Sequence, residues 1–257
     1  MRPALSAVCV LALLTMATHA IAAPAVASPG KAIGAEERYH ACMDQVASDA
    51  RAALASANAW REAGGGDAAT HCAMAAEMAL GRFSDAADGL ERLAREGNGS
   101  ALLRASLWGQ AAHAHLAADQ FEQAEAAAGQ GLDLEPGNAT LLVLQARALA
   151  GERRLGDAII SLNQAIAADP SLSDAYVFRA SAFRQRREYD RAAADLEVAL
   201  KLSPIQPEAL LERGILRRLT GDDVGARADW DALIASAPKT EAAESARINL
   251  ERMDGGG

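Results

Sequence analysis

Apolar and polar positions along this chain recur with the period of a helix. The stretch REYDRAAADLEVALKL, Arg187 to Leu202, opens with charge, turns rich in Ala and Leu, and soon meets a proline. Ala, Leu, Glu and Arg favour helix. Proline ends one, because it lacks an amide hydrogen and clashes with the preceding turn. The sustained Val/Ile/Tyr alternation that strands need is not found. The expectation is an all-α chain.

The helices repeat. LDLEP ends at Pro136, AIAADP at Pro170, LKLSP at Pro204 and LIASAP at Pro238, at 34-residue intervals. A fixed period of this length means stacked units that bury their apolar faces on one another. Four windows align: 105–138, 139–172, 173–206 and 207–240. Counting columns from the start of each window, column 8 holds Ala112, Ala146, Ala180 and Gly214. Column 20 holds Ala124, Ala158, Ala192 and Ala226. Small residues at both let two antiparallel helices approach closely. Column 28 holds the larger Leu132, Ile166, Leu200 and Ile234, which fill the core. Column 4 holds Trp108, Leu142, Tyr176 and Leu210; column 17 holds Phe121, Leu155, Tyr189 and, as the exception, Asp223. Gly151 and Gly221 fall near the turn between the helices. Asn138, Ser173 and Thr240 stand where the next helix wants an N-cap, and Pro207 suits a first helical position.

These columns resemble the tetratricopeptide repeat (TPR) family: large at column 4, small at 8 and 20, aromatic at 17, proline at 32. The resemblance implies a right-handed α-solenoid of helix–turn–helix units. A looser unit spans 67–104, where Phe83-Ser84-Asp85-Ala86 aligns with Tyr189-Asp190-Arg191-Ala192 and a four-residue insertion precedes Ala105. A degenerate helical pair is expected at 35–66, a cap helix at 241–253 and a disordered tail at 254–257.

Columns 7 and 23 change together. Ala111 faces Ala127, Gln145 faces Ser161, Arg179 faces Asp195 and Arg213 faces Asp229: small with small, polar with polar, cation with anion. The pattern predicts partly buried intra-repeat ion pairs Arg179–Asp195 and Arg213–Asp229, since buried charge is normally paired. The resemblance also implies a partner-binding groove lined by first-helix columns 2, 5, 9 and 12. Here that gives Gly109, His113, Val143, Arg147, Val177, Ser181, Arg184, Leu211, Ile215 and Arg218. Its arginines suit carboxylates through their planar fork, while Asp174 and Glu208 interrupt the row. The Lys/Asn set of a chaperone carboxylate clamp is not seen, since His113 and Gly109 occupy two of its columns.

Charge sharpens this picture. The net charge of −9 disfavours nucleic acid and anionic lipid. Asp85 to Glu135 carry 9 acids and 3 bases, whereas Leu141 to Arg218 carry 12 bases and 10 acids. An acidic partner segment is thus expected in the carboxy-terminal half. Catalytic chemistry is thin: HExxH, GxSxG and P-loop motifs are not found, and His113 and His115 face different sides of a helix. No cofactor and no metal are implied. Gly64-Gly65-Gly66-Asp67 reads as a plain turn.

The amino terminus reads as a secretory signal. Arg2 precedes an apolar run, Ala4 to Ala17, and small-residue cleavage sites follow, placing the signal at 1–22 or as late as 27 and a flexible linker at 23–34. No later segment could cross a membrane. In an oxidising compartment Cys42 and Cys72, which form no CxxC motif, read as a structural disulfide; by the loose alignment they sit on neighbouring first helices. The function expected is an exported scaffold or adaptor, periplasmic or secreted, that binds a protein or peptide in its groove for envelope assembly or secretion. The second reading is a self-associating part of an envelope complex, a homo-oligomer. An enzyme with its site in 34–66 is the third.

Overall fold

A computed structural model describes residues 34–255; the signal and nearly all of the linker lie outside these residues. The described chain forms thirteen α-helices and no strand. They pair as antiparallel hairpins: α1 (Ala35–Ser48) with α2 (Ala50–Glu62), α3 (Gly66–Ala79) with α4 (Phe83–Glu96), and α5 (Ala101–Ala117) with α6 (Phe121–Leu134). Then come α7 (Ala139–Gly151) with α8 (Leu155–Ala168), α9 (Ser173–Gln185) with α10 (Tyr189–Leu202), and α11 (Pro207–Thr220) with α12 (Asp223–Ser236). The last helix, α13 (Glu241–Gly255), packs on α11 and α12. This is an all-α solenoid. No described helix is long and apolar enough to cross a membrane.

Close approach holds each hairpin. Ala112, Ala124, Ala146, Ala158, Ala180, Ala192 and Ala226 are all buried in the contacts. At Gly214 a Cβ would stand 2.3 Å from Trp230 Nε1, so the indole occupies the space an alanine methyl takes elsewhere. Phe121 packs against Gly151, where a Cβ would lie 2.4 Å from the ring. Aromatic bulk on one helix is thus matched by a missing side chain on its neighbour.

Five successive hairpins turn at one left-handed residue: Gly81, Asp119, Arg153, Arg187 and Gly221, with φ between 56° and 88°. The next amide donates back to the helix end, as from Arg154 N to Leu149 O (2.8 Å) and Glu188 N to Phe183 O (2.9 Å). This satisfies carbonyls the helix end would orphan. Side-chain caps open the helices that follow two of the prolines: Asn138 Oδ1 accepts from Leu141 N, and Thr240 Oγ1 from Ala243 N. Ser173 does not cap; it is already the first residue of α9, and the turn is closed instead by Asp169 Oδ1 accepting from Ser171 N and Oγ. The last helix also runs past its expected end at 253, with Asp254 pairing to Arg227 of α12.

At α1 the only buried side chain is Cys42. Its Sγ lies at bonding distance from that of Cys72 on α3, with Cα atoms 6.3 Å apart.

Left-handed conformation costs a side-chain-bearing residue about 1–2 kcal/mol, and glycine little. Arg153 and Arg187 are exposed at such positions. Arg153→Gly and Arg187→Gly should therefore each raise unfolding stability by up to about 1 kcal/mol, and Gly221→Ala should lower it. Thermal melts in which both glycine variants unfold earlier than wild type would contradict this reading of the turn.

Candidate partner-binding groove

The first helices stack along one face: α1 on α3, α5 on α7, α7 on α9, α9 on α11 and α11 on α13. The α3–α5 joint is looser. Between α5 and α7 runs a cavity of about 700 Å³, bordered by Leu103, Gly109, His113, Leu141 and Leu144 among others. In the α3–α5 joint lies a second, of about 410 Å³, between Asp67 and His71 of α3 and Leu103 and Leu107 of α5. Tyr39 of α1 also borders it. A hydrogen-bond ladder crosses this face: Tyr39 Oη meets His71 Nδ1 at 2.8 Å, and His71 Nε2 meets Gln110 Oε1 at 2.9 Å. A Tyr hydroxyl donating to Nδ1 and an Nε2–H donating to the amide oxygen satisfy it throughout.

The residues expected to line the groove separate into three groups. His113 and Arg147 meet at its open part. Arg147 lies over the Phe178 ring, 5.0 Å from its centroid, a favourable cation–π placement. Among the described residues it makes no ion pair. Burial pushes its pKa down, and the carboxylates of Asp174 and Glu208 oppose that. Burial, and then the Arg147 charge, lower the pKa of His113, which favours the neutral imidazole. Ser181, Leu211 and Ile215 are half-buried.

Val143 and Val177 do not line a free surface; both are core residues. The reason is the tight stacking of first helices, seen at the same column where a Cβ on Gly109 would lie 3.0 Å from Leu141. Nor do the arginines form a free row. Arg184 pairs with the buried Glu212 of the next unit. Arg218 pairs with Asp223 at 2.7 Å across the hairpin turn.

The ion-pair columns meet across each hairpin. Arg179 holds Asp195 through Nε (2.8 Å) and Nη2 (2.7 Å), and Arg213 holds Asp229 through the same atoms at 2.9 and 2.6 Å. Ser161 donates to Gln145 Oε1 at 2.9 Å, and Ala111 and Ala127 are buried together. Asp195 and Asp229 are 6% and 4% exposed, so their charge is satisfied by the fork rather than by water. The Asp195 hydrogen bond raises the Arg179 pKa. Arg179 also reaches Asn163 of the preceding unit (2.7 Å), and Asp229 takes a second cation, Arg217, at 2.8 Å.

His115 is likewise structural. It is buried and bonded to Gln120 (2.7 Å) and Glu91 (3.0 Å). Sequence reasoning missed Leu103, Tyr39, His71 and Gln110. The four-residue insertion was the available signal for Leu103. The Arg184–Glu212 pair had none, because its column reads Gln110, Leu144, Phe178 and Glu212 and covaries with nothing.

Stacked hairpins with a groove along their first helices define a helical-repeat scaffold. The tetratricopeptide repeat profile matches residues 110–173 and 179–242, so this chain carries tetratricopeptide repeats. Tetratricopeptide repeat protein 36 of Xenopus tropicalis is 38% identical over 80 residues, which cover 30% of this chain and 40% of that protein. Among solved structures, a thermophilic TPR protein of Thermus thermophilus superposes with TM-score 0.58 at 21% identity. The match covers 67% of this chain and 90% of that one. MamA from Desulfovibrio magneticus RS-1, from residue 41 onward, gives 0.56 at 17% identity, covering 68% and 99%. These structures share the fold.

Removing a carboxylate from a buried pair strands its cation, which costs about 3–5 kcal/mol when fully buried. The arginines here are partly wet, so about 2–3 kcal/mol is expected for Asp195→Ala. Asp229→Ala should cost more, because it strands Arg213 and also removes the nearer carboxylate of Arg217, which keeps Asp222 at 3.7 Å. Urea unfolding that ranks the two the other way, or finds both neutral, would overturn this account.

Proposed function

We propose that this chain is an exported scaffold that binds a protein or peptide segment along its first-helix groove in the cell envelope. Tetratricopeptide repeats mediate protein–protein contacts, and the repeat match supports that role rather than catalysis. The observation that carries the reading is the half-buried Arg147 guanidinium. It is backed by Phe178, unpaired among the described residues, and one helical turn beyond Leu144, which borders a large, mostly apolar cavity. The Asp174 and Glu208 carboxylates act on it only from a distance, which leaves its fork open to an acidic group of the partner. The composition of residues 1–22 supports export, and the placement of Cys42 against Cys72 suits an oxidising compartment. A second reading, self-association, is favoured by Val224, which is 84% exposed on α12. A mass in solution that rises with concentration would support it.

Crosslinked capture from the native exported fraction tests the groove. Arg147→Glu should lose a protein that wild type retains, while Arg218→Glu, whose target is already tied to Asp223, should keep it. Equal capture by Arg147→Glu and wild type would move the interface elsewhere.

Alkylation tests the compartment. Cys42 and Cys72 should resist labelling until the exported protein is reduced. Reduction should then lower stability by up to about 3–4 kcal/mol, as for opening a loop of this size. Two thiols labelled without reductant would contradict export into an oxidising space.

A further inference from the structure

The repeat period breaks just before Ala105, and the groove widens at the same place. The insertion makes α5 17 residues long, where α7 and α9 have 13 and α11 has 14. The added turn carries Leu102 and Leu103, which are 64% and 52% exposed. Large apolar side chains side by side in water usually mark an interface. Insertions in repeat arrays commonly fall on the binding face. Leu103 borders both cavities, and the smaller one occupies the looser joint between α3 and α5, which the His71–Gln110 hydrogen bond bridges.

The two ends of this cleft differ in charge. At the α3 end stands Asp67, exposed and outside any ion pair among the described residues. At the α7 end stands Arg147, beside the neutral-leaning His113. Of the other charges nearby, two are engaged within the chain and two lie beyond Arg147: Asp174, which accepts from Gln206, and Glu208, whose carboxylates both raise the Arg147 pKa. Arg104 Nε donates to Ala94 O at 2.7 Å, and Glu135 accepts from Asn138 Nδ2 at 3.0 Å. From α3 to α7 the unpaired pattern is anion, apolar ridge, cation.

We infer that the cleft takes a partner segment with two neighbouring apolar side chains, a basic residue on one side and an acidic residue on the other. The apolar pair seats over Leu102 and Leu103, the base meets Asp67 and the acid meets Arg147. This rests on the scaffold reading and names the chemistry of its ligand. Three first helices at 8–10 Å spacing span roughly 16–20 Å, which about six extended residues cover.

The test uses dye-labelled synthetic peptides of the order Lys-Leu-Leu-Glu with neutral spacers, titrated against the full chain by fluorescence anisotropy. Wild type should bind the leucine peptide at least roughly tenfold more tightly than the same peptide with serines for leucines. Leu103→Asp and the milder Leu103→Ala should both weaken it, with circular dichroism unchanged because the side chain is exposed. Asp67→Lys should weaken it too, and recover affinity for the peptide whose lysine is replaced by glutamate. Failure of wild type to bind the leucine peptide, or equal binding by Leu103→Asp, overturns the inference. If a native partner is lost by Arg147→Glu but kept by Leu103→Asp, the cleft assignment fails and the scaffold reading stands.

Discussion

The structure depends on how closely two antiparallel helices can approach. In the four regular hairpins one helix presents Ala or Gly and its partner another small residue: Ala112 with Ala124, Ala146 with Ala158, Ala180 with Ala192, Gly214 with Ala226. At such separation dispersion contacts are dense and water is excluded. Larger side chains are then displaced to the edges of the contact, where Leu162, Leu196, Leu233 and Trp230 fill the space between units. Trp230 shows the constraint from the other side, since its indole fits only because Gly214 has no Cβ. Stacking follows, because a hairpin this thin cannot bury its own apolar surface and must lay it on the next.

Charge is arranged around the same contact. Asp195 and Asp229 face inward between helices and are tolerated because an arginine fork meets each. Arg184 does the equivalent job between units by reaching Glu212. Arg179, Arg184, Arg213 and Arg217 therefore hold the array together. Arg147 differs: its neighbour across the first-helix face is the Phe178 ring, and among the described residues it makes no ion pair, the Asp174 and Glu208 carboxylates acting on it only from a distance. The arginines that hold the array and the one proposed to meet a partner thus differ by what the next unit places opposite them.

Much of this was readable from residues. Period, proline stops and paired small columns specify a helical hairpin because each has a single physical cause. The covariation of columns 7 and 23 located the buried pairs, because side chains in contact within one hairpin are repeated four times in register. The groove was less legible. Its columns were assigned by resemblance, and that could not show that Val143 and Val177 are covered by neighbouring first helices or that Arg184 and Arg218 are paired. Those pairings join different columns once each, so repetition carries no trace of them. The cleft itself lies where the repeat fails, at the turn carrying Leu102 and Leu103, and an alignment built on regularity passes over it.

The central claim is that partners bind the first-helix face at α5 and α7. Hydrogen exchange of the full chain, with and without its captured native partner, tests this most directly. Protection is expected in residues 100–113 and 140–147, with α8, α10 and α12 unchanged. Protection confined to those second helices or to α13, with α5 and α7 exchanging as in the free protein, would contradict it.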